Sequence, residues 1–282
     1  MLGHKLVHRW RDQFDVWTTI RTVYKEFEGN QIFNLEKTLE NVDIENFQTV
    51  EKVITEIEPE VIINAVGIIK QLPTAKSVIK TLTINSIFPH QLAELSGQIG
   101  ARLITVSTDC VFSGNRGGYV ETDVTDAEDL YGKSKQLGEL LSGNCLTIRT
   151  SIIGRELHTA HSLVEWFLSH QRGERIKGFV KAIFSGFPTI ILADILAEII
   201  TKHPTLKGLY HISSNPISKF ELLRLIEDAY QAGIHIEPSE DFEIDRSLNS
   251  DKFRAATKFQ PLGWQEMIKI MATDNDLYEN TK

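Results

Sequence analysis

At 282 residues, with 41% hydrophobic and 24% charged side chains, the chain has ample core for one large domain or two fused ones. Its net charge of −8 and thinly spread Lys and Arg lack the basic stripe of a nucleic-acid binder, which argues against that partner class. The two cysteines, Cys110 and Cys145, make no CxxC spacing, so a reducing cytosol is the simplest context, and no apolar run reaches the ~18 residues that would predict a membrane span.

The opening "MLGHKLVHRW" carries an apolar rhythm (Leu6, Val7, Trp10) that predicts a helix. "DVWTTI" (15–20) follows as a β-branched strand run, and "NFQTVEKVITEI" (46–57) sets Phe47, Val50, Val53, Ile54 and Ile57 on one helical stripe. "EVIINAVG" (60–67) reads as a buried strand ending in small residues. "TINSIFPHQLAELSGQIG" (83–100) reads as a helix with Gly100 as its stop, and "ARLITVSTD" (101–109) as a second buried strand. A helix is expected over "YGKSKQLGELLS" (131–142) and a strand over "CLTIRTSIIG" (145–154). The later half keeps helical patterns ("SLVEWFLSHQ", "ILADILAEIITKH", "ISKFELLRLIEDAYQAG") with fewer clean strands; "GLYHISS" (208–214) is one that can return to the main sheet. Apolar strands alternating with helices predict an α/β fold, a doubly wound parallel sheet covered on both faces, with a boundary near residue 150. Ligands of such sheets sit at the carboxyl ends of the strands, here Asn64–Gly67, Ser107–Asp109 and Thr150–Gly154.

The strongest chemical constellation is Ser107-Thr108-Asp109 at a strand end, followed past a Gly-rich loop by Tyr131-Gly-Lys-Ser-Lys135. Tyr131 and Lys135, four apart, share one helix face. An ammonium beside a phenol is expected to lower its pKa from the usual ~10. With the Thr108 hydroxyl to hold a substrate oxygen, this is a proton donor suited to a carbonyl that becomes an alcohol. An ordinary amphipathic Tyr–Lys pair is the alternative for the helix alone. The nine histidines show no HxxxH or HExxH spacing, so no metal is expected. Trp10, Trp17, Trp166 and Trp264 fall on apolar stripes and are expected in the core, and Cys110 reads as a small buried hydrophobe.

Six segments, "INAVGIIKQ" (63–71), "NSIFPHQLAE" (85–94), "STDCVFSG" (107–114), "YGKSK" (131–135), "RTSIIGRE" (149–156) and "GLYHISS" (208–214), carry a resemblance in order along nearly the whole chain. The sequence resembles the extended short-chain dehydrogenase/reductases, in the branch of dTDP-4-dehydrorhamnose reductase and related capsular sugar-nucleotide 4-ketoreductases. The resemblance implies a Rossmann-type NAD(P)-binding region over 1–150 and a smaller, mainly substrate-binding α/β region over 151–282. It also implies a nicotinamide hydride donor and a nucleotide-linked 4-keto-6-deoxy sugar as substrate, in cell-surface polysaccharide biosynthesis. By position, Tyr131 would donate the proton, Lys135 would lower its pKa and hold the nicotinamide ribose, and Thr108 would orient the keto group. Related 4,6-dehydratases carry Asp-Glu after the Thr; this chain has Asp109-Cys110, so dehydration is not expected. Two alternatives remain open: a non-catalytic regulatory subunit on the same fold, of which methionine adenosyltransferase has one, and a sugar-nucleotide epimerase that retains its NAD.

The same resemblance places Gly3, Arg21, Asp43, Ile44, Asn64, Ala65, Val66 and Ser107 on the cofactor, beside Tyr131 and Lys135. An Arg at position 21 suits a 2′-phosphate where an NAD-selective site has an acid, so NADPH is the expected donor with NADH as the alternative. On the substrate side it places Thr108, Asp109, Ser185 and Arg246, the last two from "IFSGFPT" (183–189) and "DRSL" (245–248). Arg246 would meet the substrate diphosphate through its planar fork, a surface salt bridge being the other reading. Arg149 is expected to be structural and Asn85 to brace its helix. The capsular branch suggests a UDP-linked sugar, and a homo-oligomer is compatible with the sequence. Met1-Leu2-Gly3-His4 matches the tail of the family's GxxGxxG turn, with Gly3 as its third glycine. On that match a first strand and two glycines would lie upstream, and roughly ten more residues would restore cofactor binding.

Overall fold

A computed structural model describes residues 1–27, 32–70, 73–157, 159–274 and 277–278. The first half runs α1 (Leu2–Trp10), β1 (Thr18–Thr19), β2 (Thr38–Leu39), α2 (Phe47–Ile57), β3 (Val61–Asn64), α3 (Val78–Leu82) and α4 (Phe88–Ile99). It continues with β4 (Arg102–Thr108), α5 (Leu130–Leu137), β5 (Cys145–Thr150) and β6 (Ile152–Ile153). The second half adds α6 (Leu163–Leu168), β7 (Arg175–Phe184), β8 (Phe187–Pro188), α7 (Thr189–Lys202) and β9 (Gly208–His211). After these come β10 (Ile217–Ser218), α8 (Lys219–Tyr230), β11 (His235–Asp245), α9 (Asp251–Thr257) and α10 (Trp264–Thr273).

Among the described residues the main sheet has the order β3-β4-β5-β9, parallel throughout. β5 is buried along its whole length and β4 at all positions but one, as strands covered on both faces must be. One face packs Ile104, Leu146 and Ile148 against α1, α7, α8 and α10. The other packs Leu103 against Val50 and Ile54 of α2 and Phe88, Leu92 and Leu95 of α4. The chain therefore has the expected α/β fold with a parallel sheet between helical layers. α2 and α4 end as their sequences dictate, on left-handed Glu58 and Gly100, whose N–H groups reach back to the carbonyls of Ile54 and Ser96. Among the described residues no helix is long and apolar enough to cross a membrane.

Several elements depart from the sequence reading. "DVWTTI" yields only the two-residue β1, which pairs with β2 in a separate parallel sheet. Among the described residues neither joins β3, whose Val61, Ile62 and Ile63 are only half-buried. Trp17, beside β1, is accordingly exposed rather than in the core, and Trp166 is exposed on a cavity wall. Trp10 is buried, its Nε1 donating to the Ala193 carbonyl at 3.0 Å. Trp264 is half-buried, with its indole N–H on the Asn215 carbonyl. The helix expected over 131–142 stops at Leu137, where Gly138 turns the chain. The strand-poor second half contains the two longest strands. β7 runs parallel to β11 and antiparallel to β10 in a second sheet.

Candidate active site

β4 delivers Ser107 and Thr108 to the carboxyl edge of the sheet, where residues Asp109–Val111 form a single 3-10 turn. Thr108 caps that turn: its Oγ1 accepts from the Cys110 N–H at 3.1 Å, and its hydroxyl donates to Asp109 Oδ1 at 3.1 Å. α5 starts opposite, capped by Asp129, whose carboxylate accepts from the Gly132 N–H at 2.8 Å and pairs with Lys70. Two glycines let α5 nest there. A β-carbon on Gly132 would overlap the Cys110 carbonyl oxygen, and one on Gly138 would overlap that of Asn85. The second contact falls on a π-helical turn (Thr83–Ile87) that displaces Asn85 inward. Asn85 then donates to the Ile68 carbonyl and Ser134 Oγ and accepts from the Ile68 N–H. It braces the loop after β3 to α5 rather than its own helix.

Tyr131 and Lys135 thus face the Thr108 turn from one side of α5. The Lys135 ammonium is buried and donates to the Val106 carbonyl at 2.8 Å. Burial pulls it down to about 8, opposed by the carboxylate of Glu139. The Tyr131 phenol is pushed up from its ordinary value by burial and by the neighbouring Cys110, while the adjacent Thr108 side chain opposes the rise. The expected lowering by Lys135 is absent from this geometry, because the ammonium is turned to the Val106 carbonyl and desolvation dominates. A neutral phenol beside Thr108 is the state a proton donor starts from. Burial also pushes the Cys110 thiol up to about 12, so it is an inert group.

Beneath this edge lies a network that the sequence reading missed. Arg149 on β5 binds Glu139 through two 2.7 Å hydrogen bonds, with both side chains buried. The same Glu139 Oε1 accepts from the Ser107 hydroxyl at 2.7 Å. On its other side Arg149 Nη1 meets His211 Nε2 at 3.2 Å, and His211 Nδ1 lies 3.0 Å from the Tyr119 carbonyl. Burial and the adjacent guanidinium bring His211 down to about 4. The imidazole is therefore neutral at pH 7, accepting from Arg149 and donating to Tyr119. The only sequence signal was polar residues inside two apolar strand runs.

The structure brings together Ser107, Thr108, Asp109, Tyr131 and Lys135. Gly67, ending the Asn64–Gly67 turn, joins them: a β-carbon there would stand 3.3 Å from Asn85 Oδ1 and 3.8 Å from Lys135 Nζ. Asn64 spends its side chain on Thr105 Oγ1 and the Val66 N–H; Ala65 packs on the core and Val66 is exposed. Arg246 reaches the same turn from the second sheet, its Nε donating to the Phe112 carbonyl at 2.8 Å and its Nη1 lying 3.9 Å from Cys110 Sγ. Ser185 is buried and its hydroxyl oxygen accepts from the Leu248 N–H at 3.0 Å, so it ties β7 to the Arg246 segment. Gly3 lies in the first turn of α1, Arg21 is exposed after β1, and Asp43 and Ile44 precede α2. Ile44 packs on the core and Asp43 accepts from the Glu45 N–H.

A family model described as RmlD substrate binding domain matches residues 10–276. The dTDP-4-dehydrorhamnose reductase of Aggregatibacter actinomycetemcomitans is 28% identical over 81% of this chain and 85% of its own length. The enzyme of that name from Escherichia coli K12 is also 28% identical, over 90% of this chain and 92% of its own length. Methionine adenosyltransferase 2 subunit beta of Bos taurus is 26% identical over 79% and 73%, respectively. Among solved structures, Bacillus anthracis dTDP-4-dehydrorhamnose reductase in complex with NADP superposes with a TM-score of 0.74 at 25% identity. That match covers 91% of this chain and 98% of the other. On the extent of the family match, the chain belongs to the RmlD substrate binding domain family.

Proposed function

We propose that the chain is an NAD(P)H-dependent ketoreductase, similar to dTDP-4-dehydrorhamnose reductase. It converts a nucleotide-linked 4-keto-6-deoxy sugar to the 4-hydroxy sugar, with NADPH preferred and NADH as alternative, for cell-surface polysaccharide biosynthesis. One observation carries this reading: the Thr108 and Tyr131 side chains stand beside each other at a strand's carboxyl end, with Lys135 one turn along α5. The residues present fit a nicotinamide ribose. The buried Lys135 ammonium has one hydrogen bond, to Val106, and no carboxylate within ion-pair distance among the described residues. Its remaining N–H donors are therefore open to ribose hydroxyls.

A bound reduced nicotinamide supplies hydride to the carbonyl carbon. The protein's share is positioning and proton transfer. Thr108 holds the keto oxygen, and Tyr131 passes its phenolic proton to that oxygen as charge builds on it. Lys135 stabilises the phenolate left behind until solvent returns a proton. Cys110, with its pKa near 12, offers no second acid–base group, which supports reduction over loss of water.

The test is to mix the chain with NADPH and dTDP- or UDP-linked 4-keto-6-deoxy sugars, following cofactor oxidation and product stereochemistry. Stoichiometric NADPH consumption with formation of the 4-hydroxy sugar is expected. Interconversion without net consumption would instead make it an epimerase. The similarity to methionine adenosyltransferase 2 subunit beta favours one rival, a non-catalytic subunit. Capture of a stable partner without cofactor turnover would establish that rival.

A further inference from the structure

A cavity between the second sheet, α6 and α8 holds an amine that the reduction does not use. It measures about 380 Å³, within the range of small-molecule sites. Trp166, Phe179 and Phe242 give it an aromatic side, with Phe179 and Phe242 edge to face at 5.5 Å, and Leu163 and Leu223 add aliphatic surface. Lys219, on its wall, is the first residue of the 12-residue α8, behind the Ser218 cap.

Three features favour the neutral form of that side chain. Among the described residues its nitrogen has no ion pair and no hydrogen bond, and only the face of Phe184, 4.4 Å from the ring centre, stands in for the water it has lost. The positive end of the α8 dipole lies beside it. Arg246 shares the cavity without a carboxylate partner among the described residues, whereas Lys177 is spent on Asp241. The field of Asp109 favours the ammonium, yet burial outweighs it and brings Lys219 down to about 8. A desolvated amine beside another cation is a nucleophile near neutral pH. Lys135, also buried, differs in donating to the Val106 carbonyl and in having the Glu139 carboxylate near it. Lys5, deeper still, is paired with Asp274.

We propose that Lys219 is a second reactive centre, an amine that captures aromatic aldehydes as imines inside this cavity. Its lone pair attacks the carbonyl carbon and a proton passes from nitrogen to oxygen. The carbinolamine then expels that oxygen as water and leaves a C=N bond, so nothing is oxidised or reduced. The aldehyde's ring lies among Trp166, Phe179 and Phe242, and Arg246 favours a ring that carries a carboxylate. This chemistry is separate from the reduction of a keto sugar and holds whether or not the chain performs it.

The experiment treats the full chain near neutral pH with benzaldehyde, carboxybenzaldehyde or propanal. Imines are trapped with cyanoborohydride and modified lysines are mapped by peptide mass spectrometry. The aromatic aldehydes should modify Lys219 to about one equivalent, roughly tenfold or more faster than the exposed Lys133 and Lys207. Carboxybenzaldehyde should react faster than benzaldehyde, and R246M should remove that advantage. F242A should slow capture of benzaldehyde and spare propanal. K219R should abolish the adduct while its melting temperature stays close to the parent's, which separates loss of the amine from loss of the fold. Uniform labelling of exposed lysines would overturn the inference, as would preferential labelling of Lys135. Equal benzaldehyde capture by the parent and F242A would overturn the assignment to the cavity.

Discussion

The backbone of Gly132 lies against the carbonyl oxygen of Cys110 so closely that no β-carbon fits between them. That contact seats α5, and with it Tyr131 and Lys135, on the Thr108 turn. Gly132→Ala should therefore cost about 1–3 kcal/mol of stability through overpacking. The larger effect should be on turnover, because α5 must back away from Thr108. Denaturant unfolding and NADPH oxidation measured on one preparation check this, and a variant with parental turnover would refute the seating role.

Tyr131→Phe removes only the phenolic oxygen from a half-buried ring. Reductase turnover should fall about 10²- to 10⁴-fold, with the unfolding midpoint and NADPH affinity close to the parent's. Parental turnover in this variant would remove Tyr131 from the role of donor.

Lys135 sets the expected pH profile. Its folded pKa is down to about 8, so the ammonium is present below that pH and lost above it. With the phenol pushed upward, Tyr131 stays protonated across the same range. The expected kcat/KM is level below pH 8 and falls above it. Lys135→Met should lower the plateau and abolish the limb; a parental limb persisting in that variant would assign it elsewhere.

Glu139→Gln should be among the most damaging changes outside the reacting groups. It leaves the buried Arg149 guanidinium uncompensated, at a cost of roughly 3–5 kcal/mol, and weakens the acceptor for Ser107. Glu139→Gln combined with Arg149→Met should recover part of that loss. Urea unfolding of both variants measures the difference, and equal stabilities would show that no unpaired charge was at stake.

His211 gives the fold an acid-side weakness. The unfolded imidazole takes a proton near pH 6.5 and the folded one only near 4, so proton uptake drives unfolding between these values. Stability from this group is full above pH 6.5 and falls with pH until it levels off near 4. The loss over that window is about 3 kcal/mol. His211→Asn should flatten the slope of unfolding free energy against pH between 6.5 and 4, and an unchanged slope would place the titration elsewhere.

Residues that act through spacing along one element were legible in the sequence. Tyr131 and Lys135 share a face because a helix repeats that way, and Thr108 ends an apolar run because strands deliver their last residues to the ligand edge. Contacts assembled from several elements were not. Glu139, Arg149 and His211 come from three segments, and nothing local ties them together. β11 was hidden for another reason: most of its residues are exposed, so no apolar face announced it. β7 did leave a trace, since "RIKGFVKAIF" alternates outward charge and inward apolar residues over much of its length. Ser185, which the resemblance put on the substrate, directly follows β7, and its hydroxyl oxygen accepts from the Leu248 N–H.

The larger core joins Ile104 and Leu146 of the main sheet to Leu222 and Ile226 of α8 and to Met267 and Met271 of α10. Among the described residues this one cluster draws on both sides of residue 150. Heat should therefore melt the chain in one cooperative step. A nick between the halves should release no folded fragment. Damage to α10, far along the chain from Tyr131, should be felt as loosened packing beneath the strand that carries Thr108.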